Sequence, residues 1–359
     1  MNEMPFVTLA MPSYNEELYI EACLRSLLDQ TYPKDRMEIL VADGGSPDKT
    51  REIVNRIAAA DPRVRLLDNS KHKIQSYGMN LAIQESKGEF ILITDVHAEY
   101  RNDYIEQLVN AFLRTGADCA GGAQRAKAET PFQKALCAAL TSPLGVGGAP
   151  YRSGDNEGWV DTVFPGAFRR TILEKVGLYD VEAVTNEDAE LQQRILEAGG
   201  RVYLSKDVVV HYYPRKSFKL LGRQYRKYGD GRARTLLLHG RFPVLRPLIP
   251  GAGLAGLTIL VIVPPLWPLL PLAVGGYLAV TGLEALRVTL KEGIGLSSLP
   301  TVWGIFPTLH FSHGYGMLAG LIKYTLKPKP PVIERLEPRA ASPSPAVSPS
   351  IAQPLSGAK

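Results

Sequence analysis

Met37-Glu38-Ile39-Leu40-Val41-Ala42 runs into Asp43-Gly44-Gly45-Ser46, and Glu89-Phe90-Ile91-Leu92-Ile93-Thr94 runs into Asp95-Val96-His97. Each is a run of β-forming residues that stops at an acidic cluster. In an open α/β sheet, ligands bind in the crevice beyond the carboxyl ends of the strands. Two carboxylates and an imidazole brought together there suit a metal-bound diphosphate. Asp-Gly is also a common turn pair, so Asp43 alone carries little weight. Its repetition at a second strand, with a candidate metal ligand two residues on, carries more.

Working outward, residues 5 to 120 alternate the two periodicities. Phe6 to Met11 reads as a strand, and Glu16 to Gln30 as a helix with Ile20, Cys23, Leu24, Leu27 and Leu28 on one side. Ser46 or Asp48 can cap a helix running to about Ala60. Val64 to Leu67 is a short strand, Gln75 to Glu85 a helix and Phe90 to Thr94 the next strand. The βαβαβαβ order predicts an α/β fold with a mostly parallel, Rossmann-like, nucleotide-binding sheet.

The 359 residues suit one large domain or two modest ones. Hydrophobic content is an ordinary 45%, but it is unevenly spread. From Leu248 to Leu290 and from Leu299 to Ile322, charges nearly vanish apart from Glu284 and Arg287. A membrane span needs about 20 mainly apolar residues, so these stretches hold two or three apolar helices. Pro264, Pro265, Pro268 and Pro271 allow either two short spans turning sharply or one re-entrant hairpin. A buried helix pair is the soluble alternative, although such helices usually keep a polar face.

Between Arg215 and Arg246, ten Lys or Arg residues face one acid, Asp230, with apolar residues interleaved. That mixture, directly before apolar stretches, describes a segment lying on anionic lipid. It explains the charge better than a nucleic-acid partner does. Met1 to Met11 lacks a basic n-region, so the N-terminal domain is expected to be cytosolic. Cys23, Cys119 and Cys137 have no metal spacing and fit a reducing compartment. The Pro/Ser-rich end cannot bury enough surface to fold. The expected organisation is a cytosolic domain over 1–214, a basic interfacial segment over 215–247, a membrane region over 248–325 and a disordered tail over 326–359. Basic flanks on both sides favour an even number of crossings, whereas Arg287 and Lys291 favour three with the tail outside. The expectation leans to three.

Pro12-Ser13-Tyr14-Asn15-Glu16-Glu17, Asp43-Gly44-Gly45-Ser46-Pro47-Asp48, Asn80, Asp95-Val96-His97 and Glu187-Asp188 occur in the order and spacing of family-2 glycosyltransferases, which the chain resembles over residues 5 to 230. A finer resemblance, to bacterial exopolysaccharide glucosyltransferases of the succinoglycan type, lies in Gly145-Val146-Gly147, Arg152, Val160-Asp161-Thr162, Asn186-Glu187-Asp188, Tyr213-Pro214-Arg215 and Gln224-Tyr225 with Tyr228-Gly229. The resemblance implies a GT-A fold and inverting transfer of a hexose, glucose in the finer case. The donor would be a UDP-sugar and the acceptor a polyprenyl-diphosphate-linked oligosaccharide at the bacterial inner membrane.

Residue by residue, the resemblance places Pro12, Tyr14, Glu16, Asp43, Asn80 and Asp95 at the nucleotide-sugar, with Asp43 accepting from the uracil imide. Lys71 and Lys73 would offset diphosphate charge, or are simply solvated. Asp95 and His97 occupy the metal motif, where the third position is more often Asp. A carboxylate and imidazole shell tilts the metal toward Mn²⁺ and leaves Mg²⁺ open. His211 ends another strand-like run and is either a further ligand or structural. Asp188 matches the general base and Glu187 a supporting acid, although an acidic pair at a helix start also complements the helix dipole. Arg194, one helical turn on, and Arg152 are candidates for the acceptor or the phosphates.

Three other readings remain. A polyprenyl-phosphate glycosyltransferase would use the lipid phosphate itself as acceptor. A processive synthase is disfavoured by the degenerate Gln224-Tyr225-Arg226-Lys227-Tyr228, and a non-catalytic nucleotide-sugar-binding membrane protein by retention of Asp43, Asp95 and Asp188 together.

Overall fold

A computed structural model describes residues 3–146, 156–183, 185–212, 214–242 and 244–338. The first half alternates as expected: β1 (Val7–Ser13), α1 (Ile20–Leu28), β2 (Met37–Asp43), α2 (Thr50–Ala60), β3 (Val64–Asp68), α3 (Gln75–Glu85) and β4 (Phe90–Ile93). β5 (Glu99–Tyr100), α4 (Tyr104–Thr115), β6 (Cys119–Ala126), α5 (Pro131–Thr141) and the single turn α6 (Pro143–Val146) follow. Then come β7 (Gly158–Trp159), β8 (Gly166–Arg169), α7 (Arg170–Val176), α8 (Glu187–Glu197) and β9 (Val202–Tyr212). Four longer helices complete the chain: α9 (Phe218–His239), α10 (Ile249–Ile262), α11 (Leu270–Lys291) and α12 (Leu299–Leu326).

The sheet runs β3-β2-β1-β4-β8-β6-β9-β5, with β7 also paired to β9. β1 to β4 are parallel, but β8 enters antiparallel between β4 and β6. The sheet is therefore mixed, a correction to the mostly parallel expectation: the chain returns through the far end of the sheet, in a strand of four residues too short to show a period. The strand order reverses beside β1, because the chain moves outward to β2 and β3 and then crosses back to β4. A crevice opens at such a switch point. Ser13, Asp43 and Asp95 all stand at its edge.

Burial explains the layers. Val7, Leu9, Met11, Ile39, Val41 and Phe90 face one helical layer, while Ala10, Leu40, Ile91 and Ile93 face the other, and all are buried. The alternation is a period of two read on both faces of a covered sheet. α1 buries Ile20, Cys23, Leu24 and Leu27 at helical spacing. α4 stops at Gly116, which takes the left-handed conformation (φ 65°) that a helix C-terminus favours for glycine.

The C-terminal helices depart from expectation in two ways. The basic segment is not a separate surface strip: from Phe218 to His239 it is one helix packed along α12. A side chain at Gly229 would meet the His313 carbonyl at 2.1 Å, and one at Gly316 the Arg226 carbonyl at 2.0 Å, so the two backbones touch where only glycine fits. α12 buries Val302, Ile305, Phe306, Leu309 and Met317. Among the described residues, the helical stretch Pro264–Lys291 alone is long and apolar enough to cross a membrane; Arg246–Ile262 is apolar but shorter.

The tail is the second departure. Residues beyond 338 lie outside the description, but those after α12 are ordered against the sheet-bearing half. Ile333 bridges Asp180, the Leu178 amide donates to the Glu334 carbonyl at 2.9 Å, and the Val332 amide donates to the Asp180 carboxylate at 2.9 Å. Leu336 is buried in the cluster that contains Phe168, Leu173 and Leu191. Composition predicts disorder from 326 onward because the strap is short and proline-rich. It folds on edges that the sheet-bearing half supplies.

Candidate active site

Asp43 ends β2 with its carboxylate fully buried. It accepts from the amides of Gly45 (3.0 Å) and Ser46 (2.9 Å), from the hydroxyls of Ser46 (2.5 Å) and Ser13 (3.3 Å), and from Arg51 (3.2 Å). A carboxylate that serves five internal donors has no lone pair directed at a ligand. Asp43 as acceptor for the uracil imide is thus corrected: it organises the loop. That loop is stitched to the one after β1, where the Asn15 amide donates to Ser46 and the Glu16 amide to Thr50. Tyr14 is exposed beside Gly44, with the Lys73 ammonium 5.4 Å from its ring centre. Pro12 packs on Gly78 of α3, and Lys71 is exposed.

Asn80 does not face the crevice either. Its amide is buried and both ends are used, Oδ1 accepting from the Tyr179 amide and Nδ2 donating to the Tyr179 carbonyl, each at 2.9 Å. It holds the chain before α8. Arg194 is likewise spent. Its guanidinium pairs with Glu190 and caps the carbonyls of Val176 and Leu178, so it neither orients the acidic pair nor approaches a phosphate. Arg152 lies outside the described residues.

Asp95 follows β4 and opens toward the crevice. Its carboxylate accepts from the His97 amide at 2.9 Å and remains 43% exposed, which leaves lone pairs available. The His97 ring sits with Nδ1 3.5 Å from Asp95 and Nε2 3.0 Å from Glu16. Hydrogen bonds to Asp95 and then Glu16 push its pKa up to about 10, against the smaller cost of burial. A cation ligated there would take the place of that proton, so the donor set fits a divalent ion held by Asp95 and His97, with further positions for diphosphate oxygens. His211 pairs with Glu99 of β5 and does not join them; among the described residues no cluster of three His, Cys, Asp or Glu ligands is formed.

Glu187 and Asp188 open α8. Asn186 before them adopts φ 61°, and its amide donates to the Tyr228 carbonyl at 2.8 Å, so α9 fixes the turn. Gly231 makes this possible, since a side chain there would lie 2.6 Å from the Thr185 carbonyl. Burial raises both carboxyls above the ordinary range; the Tyr179 hydroxyl, donating to Asp188 at 3.1 Å, opposes the rise there, while the charge of Asp188 adds to the rise at Glu187 and that of Asp95 to the rise at Asp188. A carboxylate so placed can take a proton near neutral pH.

The pair lies on the wall of a cavity of about 1350 Å³. Its lining includes Asp95 and Gln75, the cations Arg215, Arg223, Lys227 and Arg232, and apolar residues of α10, α11 and α12. Sequence reasoning missed Tyr179 and this long cavity, because neither has a periodic or motif signature; it quoted Asn186 in a motif without giving it a role.

Such a crevice, with carboxylates at the ends of β4 and the start of α8, defines the class of GT-A nucleotide-sugar enzymes. The model of glycosyl transferase family 2 matches residues 8–177. A succinoglycan biosynthesis protein, ExoA, of Rhizobium meliloti is 38% identical over 244 residues, 67% of this chain and 73% of the relative. A Methanococcus voltae dolichyl N-acetyl-alpha-D-glucosaminyl phosphate diacetamido-dideoxy-glucuronosyltransferase is 27% identical over 329 residues, 89% and 98% of the two chains. The fold is shared with a Pyrobaculum calidifontis mannosyltransferase in complex with GDP-Man and Mn²⁺, at a TM-score of 0.60 and 20% identity over 90% of this chain and 88% of the other. The chain belongs to glycosyltransferase family 2.

Proposed function

We propose that this chain transfers a hexose, with inversion, from a nucleoside-diphosphate sugar to a hydroxyl of a lipid-linked saccharide at the inner face of a bacterial membrane, in exopolysaccharide synthesis. The supporting observation is one cavity that joins Asp95, the Glu187–Asp188 pair and the apolar helices. Two relatives act in succinoglycan biosynthesis and on a dolichyl-phosphate-linked sugar by their names, which agrees with a glycan assembled on lipid.

Asp188 is the base. It removes the proton of the acceptor hydroxyl as that oxygen attacks the anomeric carbon, and the bond to the nucleoside diphosphate breaks in the same displacement. Its raised pKa suits proton uptake, and the Tyr179 hydroxyl holds it in place. Glu187 shares the buried site and supports it. Asp95 and His97 are the residues that would hold a divalent ion, Mn²⁺ or Mg²⁺, which would stabilise charge growing on the departing diphosphate. With Asp43 sealed, the choice of a UDP-sugar rests on the resemblance, and Tyr14, Gly44 and Lys73 form the exposed wall for the base.

Donor hydrolysis and transfer in isolated membranes test the reading, with UDP- and GDP-hexoses assayed side by side. Turnover is expected with one nucleotide series, lost on chelation and restored by Mn²⁺. An extended oligosaccharide-lipid product supports it. A glycosyl monophosphate lipid would transfer the assignment to the polyprenyl-phosphate glycosyltransferases, whose acceptor needs no base.

A further inference from the structure

The cavity changes chemistry along its length. On α9, Leu220, Arg223, Gln224, Lys227, Tyr228 and Arg232 recur at helical spacing, and all line it. Arg223 and Lys227 lie one turn apart on this face, and among the described residues neither they nor Arg215 have an ion-pair or hydrogen-bond partner. Arg246, at the start of the apolar hairpin, is already neutralised by both oxygens of Asp161 at 2.7 and 2.8 Å. Beyond the cations, Leu257 and Leu260 of α10, Val274 and Leu278 of α11 and Phe311 of α12 line the same cavity. α10 and α11 each pack on α12 and touch one another little, and Val274 and Leu278 are exposed, so this apolar part is open.

Arg215, Arg223 and Lys227 are exposed and gather positive potential on one wall, which attracts an anion, while the apolar gallery of the cavity suits hydrocarbon. Continuity of the two zones with Asp188 calls for a single ligand that carries phosphate and hydrocarbon together. On the reading of the chain as a lipid-linked saccharide transferase, we infer that this cavity is the acceptor's binding site. The phosphates of a polyisoprenoid carrier lie on the Arg223–Lys227 stripe of α9, its first isoprene units lie between α10 and α11, and its saccharide reaches Asp188. The carrier enters through this open apolar part.

Equilibrium binding to the purified full chain in detergent tests this, with inorganic diphosphate, farnesyl diphosphate, undecaprenyl phosphate and undecaprenyl diphosphate as probes. Affinity is expected to rise with hydrocarbon length. Arg223→Gln and Lys227→Gln should each weaken farnesyl diphosphate about ten- to hundredfold, the value of a charged hydrogen bond. Leu278→Trp, which fills a half-open part of the gallery, should weaken the undecaprenyl probes and leave inorganic diphosphate unchanged. Arg226→Gln serves as control, because that cation stacks on Tyr315 outside the cavity. Undecaprenyl phosphate binding as well as the diphosphate supports the site and assigns it a single-phosphate head. Equal affinity for the short and long probes overturns the gallery. A loss that falls on UDP or GDP affinity in Arg223→Gln, with lipid binding intact, overturns the head group and gives these cations to the donor. Donor hydrolysis without lipid binding sinks this inference alone; lipid binding without donor hydrolysis sinks the transferase reading instead.

Discussion

Tyr179 meets two parts of the site through its amide, its carbonyl and its hydroxyl. Asn80 grips the first two, and the third donates to Asp188. A base works deprotonated, so activity exists above its pKa and disappears as pH falls through it. Because burial raises the Asp188 carboxyl, the acidic limb of kcat/KM should stand above the ordinary carboxylate range. Tyr179→Phe removes the donor that opposes the rise, and should move that limb upward by about half to one pH unit, measured as a pH profile. An unmoved limb would remove Asp188 from the titration. Asp188→Asn should cut turnover by a factor on the order of 10² to 10⁴ with nucleotide affinity nearly intact. Asp43→Ala should now act on the fold, because two loop amides lose their acceptor. A loss of about 1–3 kcal/mol in thermal unfolding is expected before any specific loss of nucleotide. Unchanged melting with abolished nucleotide binding would reinstate Asp43 as a ligand. The sequence pointed to Asp95, His97, Glu187 and Asp188 because each follows a strand or opens a helix, and Asp95, Glu187 and Asp188 line one cavity. It misplaced Asn80 and Arg194, whose partners are backbone groups 99 and 16 to 18 residues away.

At the scale of elements, α9 decides the site more than any strand does. It supplies the carbonyl that fixes Asn186 and the cavity's cationic face, and it packs its glycines against α12. Gly231→Ala forces a methyl group toward Thr185 and Asn186, displacing the turn that presents the acidic pair. Misplacement on the ångström scale costs about 10²-fold in rate, so turnover should fall by that order while the chain stays folded. Gly222→Ala meets only the end of the Ser312 side chain at 3.1 Å and should be nearly neutral. Steady-state kinetics of the two variants side by side decide the matter; equal effects would mean that α9 merely stabilises. The first strands and helices were legible because their hydrophobic periods were long and unbroken. β8 and the α9–α12 contact were not, since one is four residues long and the other depends on glycines that leave no hydrophobic signal.

Over the whole molecule, α10 spans roughly 21 Å at 1.5 Å per residue, short of a hydrocarbon core of about 30 Å. Ile259, Ile262, Trp267, Leu272 and Leu283 are nonetheless more than half exposed. On the membrane reading proposed above, a re-entrant hairpin of α10 and α11 with its proline-rich tip in the bilayer would reconcile the two. The strap places residues 330–336 on the catalytic half, and α12 runs parallel to α9 and ends beside the end of that helix, where Lys323 pairs with Asp230 and Arg234 reaches the Pro330 carbonyl. On the same reading, the strap's contact puts both ends of the apolar helices on one side and argues for an even number of crossings. A Ser350→Cys variant should resist a membrane-impermeant thiol reagent in intact cells, and labelling would contradict a common side for both ends. Leu336→Ala, which empties part of the core beneath α8, should cost about 2–5 kcal/mol, read as a lower melting temperature of the solubilised chain.

The pairing of Asp180 with Ile333 also makes the apolar helices an insertion rather than an appendage. Arg234 of α9 reaches the Pro330 carbonyl at 3.4 Å and the Asp180 carboxylate at 2.6 Å, so the chain leaves and re-enters the catalytic half at nearly one place. Cutting the gene after α9 would discard Leu336 and the backbone partners of Leu178 and Val181, leaving a hole next to Tyr179. A water-soluble version is therefore reached by splicing, joining the glycine-capped end of α9 to residues 330–338 through a short flexible linker, and not by a stop codon.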